Sequence, residues 1–210
     1  METDRSDYDD AAARFRVNLA RARNLASPIG SIPKIEVEGV DLRSDMIRAG
    51  ILLAHATMED LLRSLLEIRL PRGDAKYLRL IPLVDSKDRF QPKYDLGDLL
   101  AHRAGTVEDL IRKSVAAYLG RHTYNNVEEI ALALNQMSVS PTLLAAYGSK
   151  LAALMIRRHH IAHRADRGLA GHRVLPIDHS AVVGWLDAIE AFGEALLVEF
   201  AAELVEEPLP

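Results

Sequence analysis

Residues 41–70 read DLRSDMIRAGILLAHATMEDLLRSLLEIRL, and they decide the fold class of this chain. Apolar side chains recur at every third or fourth position of this stretch, which is the spacing of one face of an α-helix. The positions that follow this spacing are Ile47, Ile51, Ala54, Met58, Leu61, Leu62, Leu65 and Ile68. Pro71 and Gly73 come directly afterwards, and both residue types end helices. We therefore predict a long helix over residues 41–70.

Helices are also predicted on both sides of this stretch. On the N-terminal side, an apolar stripe predicts a first helix over residues 9–26. Pro28 ends it, because the residue before a proline is pushed out of the helical region. Residues 28–40 contain two prolines and two glycines, and we expect them to form a loop.

On the C-terminal side, three sequence signals mark predicted helix starts. Thr106 and Asn126 each precede an acidic first turn, as helix N-caps do, and Ser140 precedes a proline at the first helical position. The helices predicted from these signals cover residues 106–118, 126–134 and 140–166, and we call the last one the motif helix. The other predicted elements are a loop over 85–93, a short helix near 96–103 and a final helix over 177–204.

The composition of the chain agrees with a helical bundle. Of its 210 residues, 49% are apolar and only 5% are aromatic. No segment alternates strictly between polar and apolar residues, as strands do. We therefore predict one all-α domain over residues 1–210, with residues 1–40 as its N-terminal helix and loop. Its architecture is expected to be a bundle of long antiparallel helices with short connecting helices.

Several classes of protein are excluded by what the sequence lacks. The chain has no cysteine, which excludes disulfides and cysteine-ligated metal sites. No apolar run approaches the ~20 residues that span a bilayer. Residues 1–7 are polar and acidic, unlike the apolar core of a signal peptide. We therefore expect a cytoplasmic protein that does not enter the membrane.

Charge is distributed unevenly along the chain. The formal net charge is −4, yet residues 157–173 hold five arginines and four histidines against one acid, Asp166. A basic segment of this kind on an acidic chain predicts a local phosphate-binding surface. The alternative is a solvated helix end, whose cations complement the helix dipole.

Arg158 interrupts the apolar stripe of the motif helix. In alternating steps of three and four, that stripe reads Leu144, Tyr147, Leu151, Leu154, Arg158, Ile161 and Ala165. Arginine is rarely buried without a partner, so Arg158 should face a polar cleft or a subunit interface, unless the helix has already left the core. The alternative is that the aliphatic stem packs while the guanidinium reaches water.

Three histidines follow Arg158 closely. At ~100° per residue, His159 and His163 lie about 40° apart on one face of the helix. Arg158 and His163 are about 140° apart, which is too wide for direct contact on an ideal helix. They could converge through the flexible arginine side chain, a distorted last turn or a second copy of the helix in a symmetric dimer. His160 is expected to point away from Arg158 into solvent.

These residue types suit phosphodiester transfer without a metal. Histidine moves protons near neutral pH, and arginine binds phosphate and stabilises developing negative charge. A zinc site is the competing prediction, because His159 and His163 have the i, i+4 spacing of a helical zinc pair. However, His160 stands where a His-Glu-x-x-His motif has its glutamate, no third ligand is evident, and the arginines would repel a cation. We therefore predict no metal and no cofactor.

The run from Arg158 to His163 resembles the Arg-x4–6-His motif of the HEPN superfamily, in which a polar residue commonly follows the arginine. The longer string at 155–166, MIRRHHIAHRAD, is similar to the RiboL-PSP and MAE-type branches of that superfamily. Weaker likenesses lie at 51–70, which includes Glu59, at 124–130 and at 183–185. The resemblance thus covers most of the chain after about residue 40, and only the motif region is specific.

The resemblance implies an α-helical bundle that forms a homodimer, pairs two motifs in one cleft and cleaves RNA internally without a metal. It implies a catalytic set of Arg158 and His163, with His159 in support. Glu59 is implied to orient the site, and a solvent-facing helical glutamate is the alternative. The arginines expected to position RNA phosphates, or to be simple surface charge, are Arg157, Arg164 and Arg167. Asp166 is expected to anchor one of these arginines or to stop the helix.

The sequence leaves three roles open, namely a toxin, a phage-defence effector and an RNA-processing enzyme, and an antitoxin or another regulatory protein is a candidate partner. Two alternatives stay open. The first is a non-catalytic HEPN module that binds RNA, a nucleotide or a protein partner through the same basic cleft, because the fold does not establish the activity. The second is a helical structural protein in which the motif is incidental.

Overall fold

The computed structural model describes residues 2–26, 36–37, 40–84, 96–168 and 174–206. The helices and strands of these ranges are α1 (Glu2–Ala26), β1 (Glu36–Val37), β2 (Val40–Asp41), α2 (Leu42–Arg69), α3 (Ala75–Leu78), α4 (Val107–Leu119), α5 (Val127–Gln136), α6 (Gly148–Arg164) and α7 (His179–Glu206). Short 3-10 helices cover Leu70–Arg72, Asp98–His102 and Pro141–Ala146. The prediction of a mostly helical chain is confirmed. Strands β1 and β2 form one antiparallel pair of two residues each.

Helix α2 lies at the centre of the fold and contacts α1, α4, α5, α6 and α7. Its predicted start and end are each correct to within one residue. The helix begins after Asp41, whose side chain accepts a hydrogen bond from the Arg43 N–H at 3.2 Å. It ends at the 3-10 segment that contains Pro71. Every apolar position of the predicted stripe is buried, so the core of the bundle surrounds this helix.

Helix α1 starts at Glu2, seven residues before the predicted start at residue 9. Its early turns dock on α7. The Tyr8 hydroxyl donates a hydrogen bond to the Leu197 carbonyl at 2.9 Å, and the Tyr8 and Phe200 rings stack with centroids 6.2 Å apart. Residues 2–7 carry no apolar stripe, so periodicity could not predict that they are helical. The N-terminal end of α1 is instead stabilised by the contact of Tyr8 with α7. Helix α7 itself starts and ends two residues later than predicted.

The predicted helix starts at Thr106 and Asn126 are confirmed. Thr106 Oγ1 accepts a hydrogen bond from the Asp109 N–H at 3.0 Å, and the Asp109 carboxylate accepts one from the Thr106 N–H at 2.8 Å. Asn126 Oδ1 accepts a hydrogen bond from the Glu129 N–H at 2.8 Å. The predicted loop at 85–93 lies outside the described residues, as does most of the predicted loop at 28–40. None of the described helices is long and apolar enough to cross a membrane.

The predicted motif helix of residues 140–166 is divided in two. Ser140 does cap a helical segment, because its side chain accepts a backbone N–H at 3.3 Å, but that segment is the 3-10 helix Pro141–Ala146. Helix α6 starts only at Gly148, after a break at Tyr147. A capping residue marks where a helical segment begins and does not distinguish a 3-10 helix from an α-helix, which explains the error.

Candidate functional site

Arg158 marks the point at which helix α6 leaves the core. The residues before it on the stripe, Leu151 and Leu154, are buried, whereas Arg158 is partly exposed. Its Nη1 atom donates a hydrogen bond to Oδ1 of Asn125 at 3.1 Å. The guanidinium therefore faces a polar partner just before helix α5, in agreement with the polar cleft that the interrupted stripe predicts.

Two polar side chains of helix α2 bind the segment that carries Asn125. Oε1 of Glu59 accepts a hydrogen bond from the Tyr124 N–H at 2.9 Å. Nε2 of His55 lies 3.2 Å from the Tyr124 carbonyl oxygen, and Nδ1 of His55 lies 3.5 Å from Oε2 of Glu59. The Glu59 side chain is only 12% exposed, so the alternative of a solvent-facing glutamate is wrong.

His55 is a candidate site residue that the sequence analysis missed. Burial lowers its pKa, the Glu59 carboxylate opposes that shift, and the positive charge of Arg158 adds to it. Because the Tyr124 carbonyl can only accept a hydrogen bond, Nε2 is the ring nitrogen that carries the proton. The signal that could have found this residue is the i, i+4 spacing of His55 and Glu59 on an otherwise apolar helix.

The histidines at the end of α6 lie side by side, as their spacing predicts. The rings of His159 and His163 have centroids 4.6 Å apart, and the His159 and His160 centroids are 6.4 Å apart. Partial loss of hydration lowers the pKa of His159, and the positive charges of its two histidine neighbours, Arg164 and Arg158 lower it further. The lowered pKa favours the neutral imidazole of His159, which is the form that can accept a proton.

A shallow groove of about 320 Å³ lies beside two of these histidines and beside Asn125, the residue that Arg158 binds. We call it the histidine groove, and it is lined by Asn125, Met155, Ile156, His159 and His160. The expectation that His160 turns away into solvent is wrong, because it is only partly exposed and lines this groove. Arg158 binds the groove residue Asn125, and the ring of His163 lies beside the ring of the groove residue His159. Each of the two motif residues is therefore one contact away from the groove, through different residues of its lining.

This surface combines groups that proton transfer and phosphate binding need. The imidazoles of His159 and His163 can accept or donate a proton, and the guanidinium of Arg158 can bind a phosphate oxygen. The apolar side chains of Met155 and Ile156 lie beside them in the groove and offer a contact for a flat or apolar part of a ligand. The arrangement thus suits a ligand that carries both a phosphate and a less polar group.

Arg157 lies in a different environment from the other motif residues. Its Nη2 atom donates hydrogen bonds to Oδ2 of Asp166 at 2.6 Å and to the carbonyls of Leu175 and Pro176 at 3.2 and 3.0 Å. Nε of Arg48, on α2, also donates to Oδ2 of Asp166, at 2.7 Å. The predicted RNA contact of Arg157 stays a prediction, although its charge is already paired with a buried carboxylate.

Asp166 fulfils both expectations stated for it. It anchors Arg157, and it lies in the turn that ends α6, where Ala165 and Asp166 adopt left-handed backbone angles with φ of 48° and 57°. The Asp166 N–H donates a hydrogen bond to the His160 carbonyl at 3.1 Å, which closes the last turn of the helix. Its side chain is fully buried, so this carboxylate is part of the structural core of the motif.

The remaining predicted RNA-binding arginines flank this turn. Arg164 is exposed at the last position of α6, and Arg167 is exposed and pairs through its backbone with Val174 in an isolated antiparallel bridge. Both therefore lie beyond His163 on the solvent side of the motif. His172 and Arg173, which complete the basic segment, lie outside the described residues.

Comparisons with protein-family models, with curated proteins and with solved structures found no match to this chain. The HEPN resemblance therefore rests on the motif residues of the sequence. Among the described residues, no group of three or more histidines and acids is placed to hold a metal ion.

Proposed function

We propose that this protein is a metal-independent endoribonuclease of the HEPN type that acts as a homodimer. The observation that carries the proposal is the histidine groove: His159 lines it, His163 lies beside His159, and Arg158 binds the groove residue Asn125. Glu59, which the resemblance implies as a supporting residue, binds the segment that holds Arg158. These contacts support the proposal, and the proposed dimer would bring the arginine of one chain and the histidines of the other into one cleft.

The chemistry follows from the groups in this groove. A neutral imidazole, for which the lowered pKa suits His159, takes the proton from a ribose 2′-hydroxyl. The 2′-oxygen forms a bond to the adjacent phosphorus, and the bond from phosphorus to the 5′-oxygen breaks. His163 is assigned the general-acid role and donates a proton to that 5′-oxygen, and Arg158 stabilises the charge on the phosphate oxygens. The products are a 2′,3′-cyclic phosphate and a 5′-hydroxyl.

Cleavage of RNA in the presence of excess chelator tests this proposal. We expect the purified protein to produce ends with 2′,3′-cyclic phosphate. His163→Ala should lower the rate by a factor of about 100 or more, which is the usual contribution of a general acid or base. Arg158→Ala should have a comparable effect, because it removes a donor to the transition state.

Arg103→Ala is the matched control for this assay, since Arg103 is an exposed arginine outside the motif. It should cleave as fast as the wild type. Equal rates for wild type and His163→Ala would overturn the proposal and assign the cleavage to a contaminant. RNA binding that persists without cleavage, and that Arg158→Ala weakens, would instead favour the non-catalytic binding module.

The biological role is a further part of the proposal. We propose that the protein is cytoplasmic and acts as a toxin or phage-defence effector. We further propose that a regulatory protein inhibits its cleavage of RNA. The exposed, cationic end of α6 supports this role, because a bound partner there would block the groove. Expression of wild type and His163→Ala in a host cell, with growth and RNA integrity as readouts, tests the toxic activity directly.

A further inference from the structure

Asn125 binds Arg158, and Asn125 is itself held by hydrogen bonds from both sides. We infer that Asn125 is the positioning residue of Arg158, and that it orients the guanidinium while leaving its positive charge available to a phosphate. This inference rests on the proposed function, because it describes how the arginine of the same site is prepared for its ligand.

The side-chain amide of Asn125 has a defined orientation. Its Nδ2 donates a hydrogen bond to Oγ1 of Thr123 at 2.7 Å, and its Oδ1 accepts one from Nη1 of Arg158 at 3.1 Å. The reverse orientation would turn the NH₂ group, a donor, toward the guanidinium, which also only donates. The donor-only guanidinium of Arg158 therefore selects the orientation in which Asn125 offers it an oxygen, and the Thr123 hydroxyl, which can donate or accept, accepts from the amide nitrogen.

The backbone that carries Asn125 is fixed by side chains on both flanks. Glu59 and His55 of α2 bind the N–H and the carbonyl of Tyr124, at 2.9 and 3.2 Å. Glu129 of α5 accepts a hydrogen bond from the Asn125 N–H at 2.6 Å. This segment has no helical or strand partners of its own, so these side chains take the place of secondary structure.

The core provides a further anchor for the segment. The side chain of Tyr124 belongs to the hydrophobic core and is only 4% exposed. Tyr124 directly precedes Asn125, and it is held by the core through its side chain and by α2 through its backbone. The backbone of Asn125 is therefore restrained, and this restraint fixes the position of the Asn125 Oδ1 atom that binds Arg158. A rigid partner lowers the cost of orienting a flexible arginine when the ligand arrives.

The chemical identity of the partner decides what the arginine can do. Arg157 is held by the buried carboxylate of Asp166, which it shares with Arg48, and Arg48 also pairs with Asp45, so the two arginines are balanced by two carboxylates. Arg158 is held by a neutral amide, so its full positive charge remains available to an anion. Arg157 and Arg158 are thus oriented by different acceptors, a carboxylate and an amide. Of these two acceptors, only the amide of Asn125 leaves its arginine with a charge that can bind a phosphate at the groove.

Two substitutions at position 125 separate orientation from charge. Asn125→Ala removes the acceptor, so Arg158 should lose its fixed orientation while keeping its charge. We expect kcat for RNA cleavage to fall by a factor of about 10 to 100, with KM nearly unchanged. Asn125→Asp keeps an acceptor, but its carboxylate pairs with the positive charge of Arg158. The probe for this variant is a single-stranded 2′-O-methyl RNA, which this chemistry cannot cleave. Its Kd should rise about tenfold.

A measurement that does not depend on cleavage accompanies these assays. In nuclear magnetic resonance spectra of ¹⁵N-arginine-labelled protein, the Arg158 guanidinium should show slow rotation and protection from exchange in the wild type. This protection should be lost in Asn125→Ala and kept in Asn125→Asp. Asn135→Ala is the matched control, because Asn135 is an exposed asparagine on α5, and it should resemble the wild type in every readout.

The inference is wrong if Arg158 stays protected in Asn125→Ala, or if Asn125→Asp binds the 2′-O-methyl RNA as tightly as the wild type. Failure of the proposed function looks different. A wild-type protein that does not cleave RNA removes the endoribonuclease activity, while the guanidinium spectra of the same variants still decide whether Asn125 positions Arg158.

Discussion

Arg157 and Arg158 are consecutive residues of the same type, and the fold gives them different tasks. Arg157 binds the fully buried Asp166 together with Arg48, and it also binds backbone carbonyls of the segment that leads into α7. Arg158 binds Asn125 at the histidine groove. At the scale of single residues, the partner determines whether an arginine stabilises the turn after α6 or is held beside the groove, where we propose that it binds phosphate.

Asp166 should therefore be among the residues most important for stability. Asp166→Asn keeps the shape of the side chain and tolerates the left-handed backbone angles, but it leaves the mostly buried Arg48 and Arg157 without their carboxylate. We expect the free energy of unfolding to fall by about 3 kcal/mol, as for a broken buried ion pair. Urea unfolding followed by circular dichroism measures this change.

Asp187→Asn is the matched control for that substitution. Asp187 pairs with Arg23 at 2.8 Å, but its side chain is 58% exposed, and exposed pairs contribute less than about 1 kcal/mol. A loss of stability in Asp166→Asn no larger than that of the control would contradict the structural role of the buried carboxylate.

At the scale of helices, the contact of α1 with α7 depends on a glycine. A Cβ atom at Gly193 would lie 2.1 Å from Cζ of Phe15, whose side chain is 1% exposed. Gly193→Ala should therefore lower the free energy of unfolding by about 2 kcal/mol, because overpacking outweighs the higher helix propensity of alanine. Thermal or urea unfolding measures the change.

The control for this prediction lies on the same helix. Nothing lies within 4 Å of the position of a Cβ atom at Gly184, so alanine there should only gain helix propensity. Gly184→Ala should raise the free energy of unfolding by up to about 1 kcal/mol. A stabilised Gly193→Ala variant would show that α1 and α7 do not pack as closely as described.

The starts of the helices show which local sequence signals predict a helix start correctly. The starts of α2, α4 and α5 follow from capping residues and periodicity, because both are properties of a short stretch of chain. The start of α6 does not, because Ser140 caps a 3-10 segment that precedes it. The early start of α1 depends on contacts of Tyr8 with α7, which lie almost the whole chain length away.

At the scale of the whole molecule, the proposed homodimer needs a surface beside the motif. Ile156 is 63% exposed on α6 and lines the histidine groove, so its apolar side chain would be covered when two groove surfaces meet. We expect a dimer at micromolar concentration by analytical ultracentrifugation. Ile156→Asp should weaken it about tenfold or more, because it places a charge in the contact.

Val198→Asp is the comparison for that measurement, since Val198 is an apolar residue of similar exposure, 69%, on α7. Its dimerisation should match the wild type. A wild-type protein that sediments only as a monomer would remove the shared cleft from the proposal. In that case the groove of a single chain would have to act alone.

The sequence by itself determined the helical class, the bounds of α2, the caps of α4 and α5, and the residues of the motif. Those features are encoded in short-range periodicity and in residue types that act locally. Only the tertiary structure decided that His55 and Glu59 bind Tyr124, that Asn125 binds Arg158, and that Asp166 binds Arg157. The reason is physical: these hydrogen bonds join residues that are mostly far apart in the chain, and packing around α2 determines which of them meet.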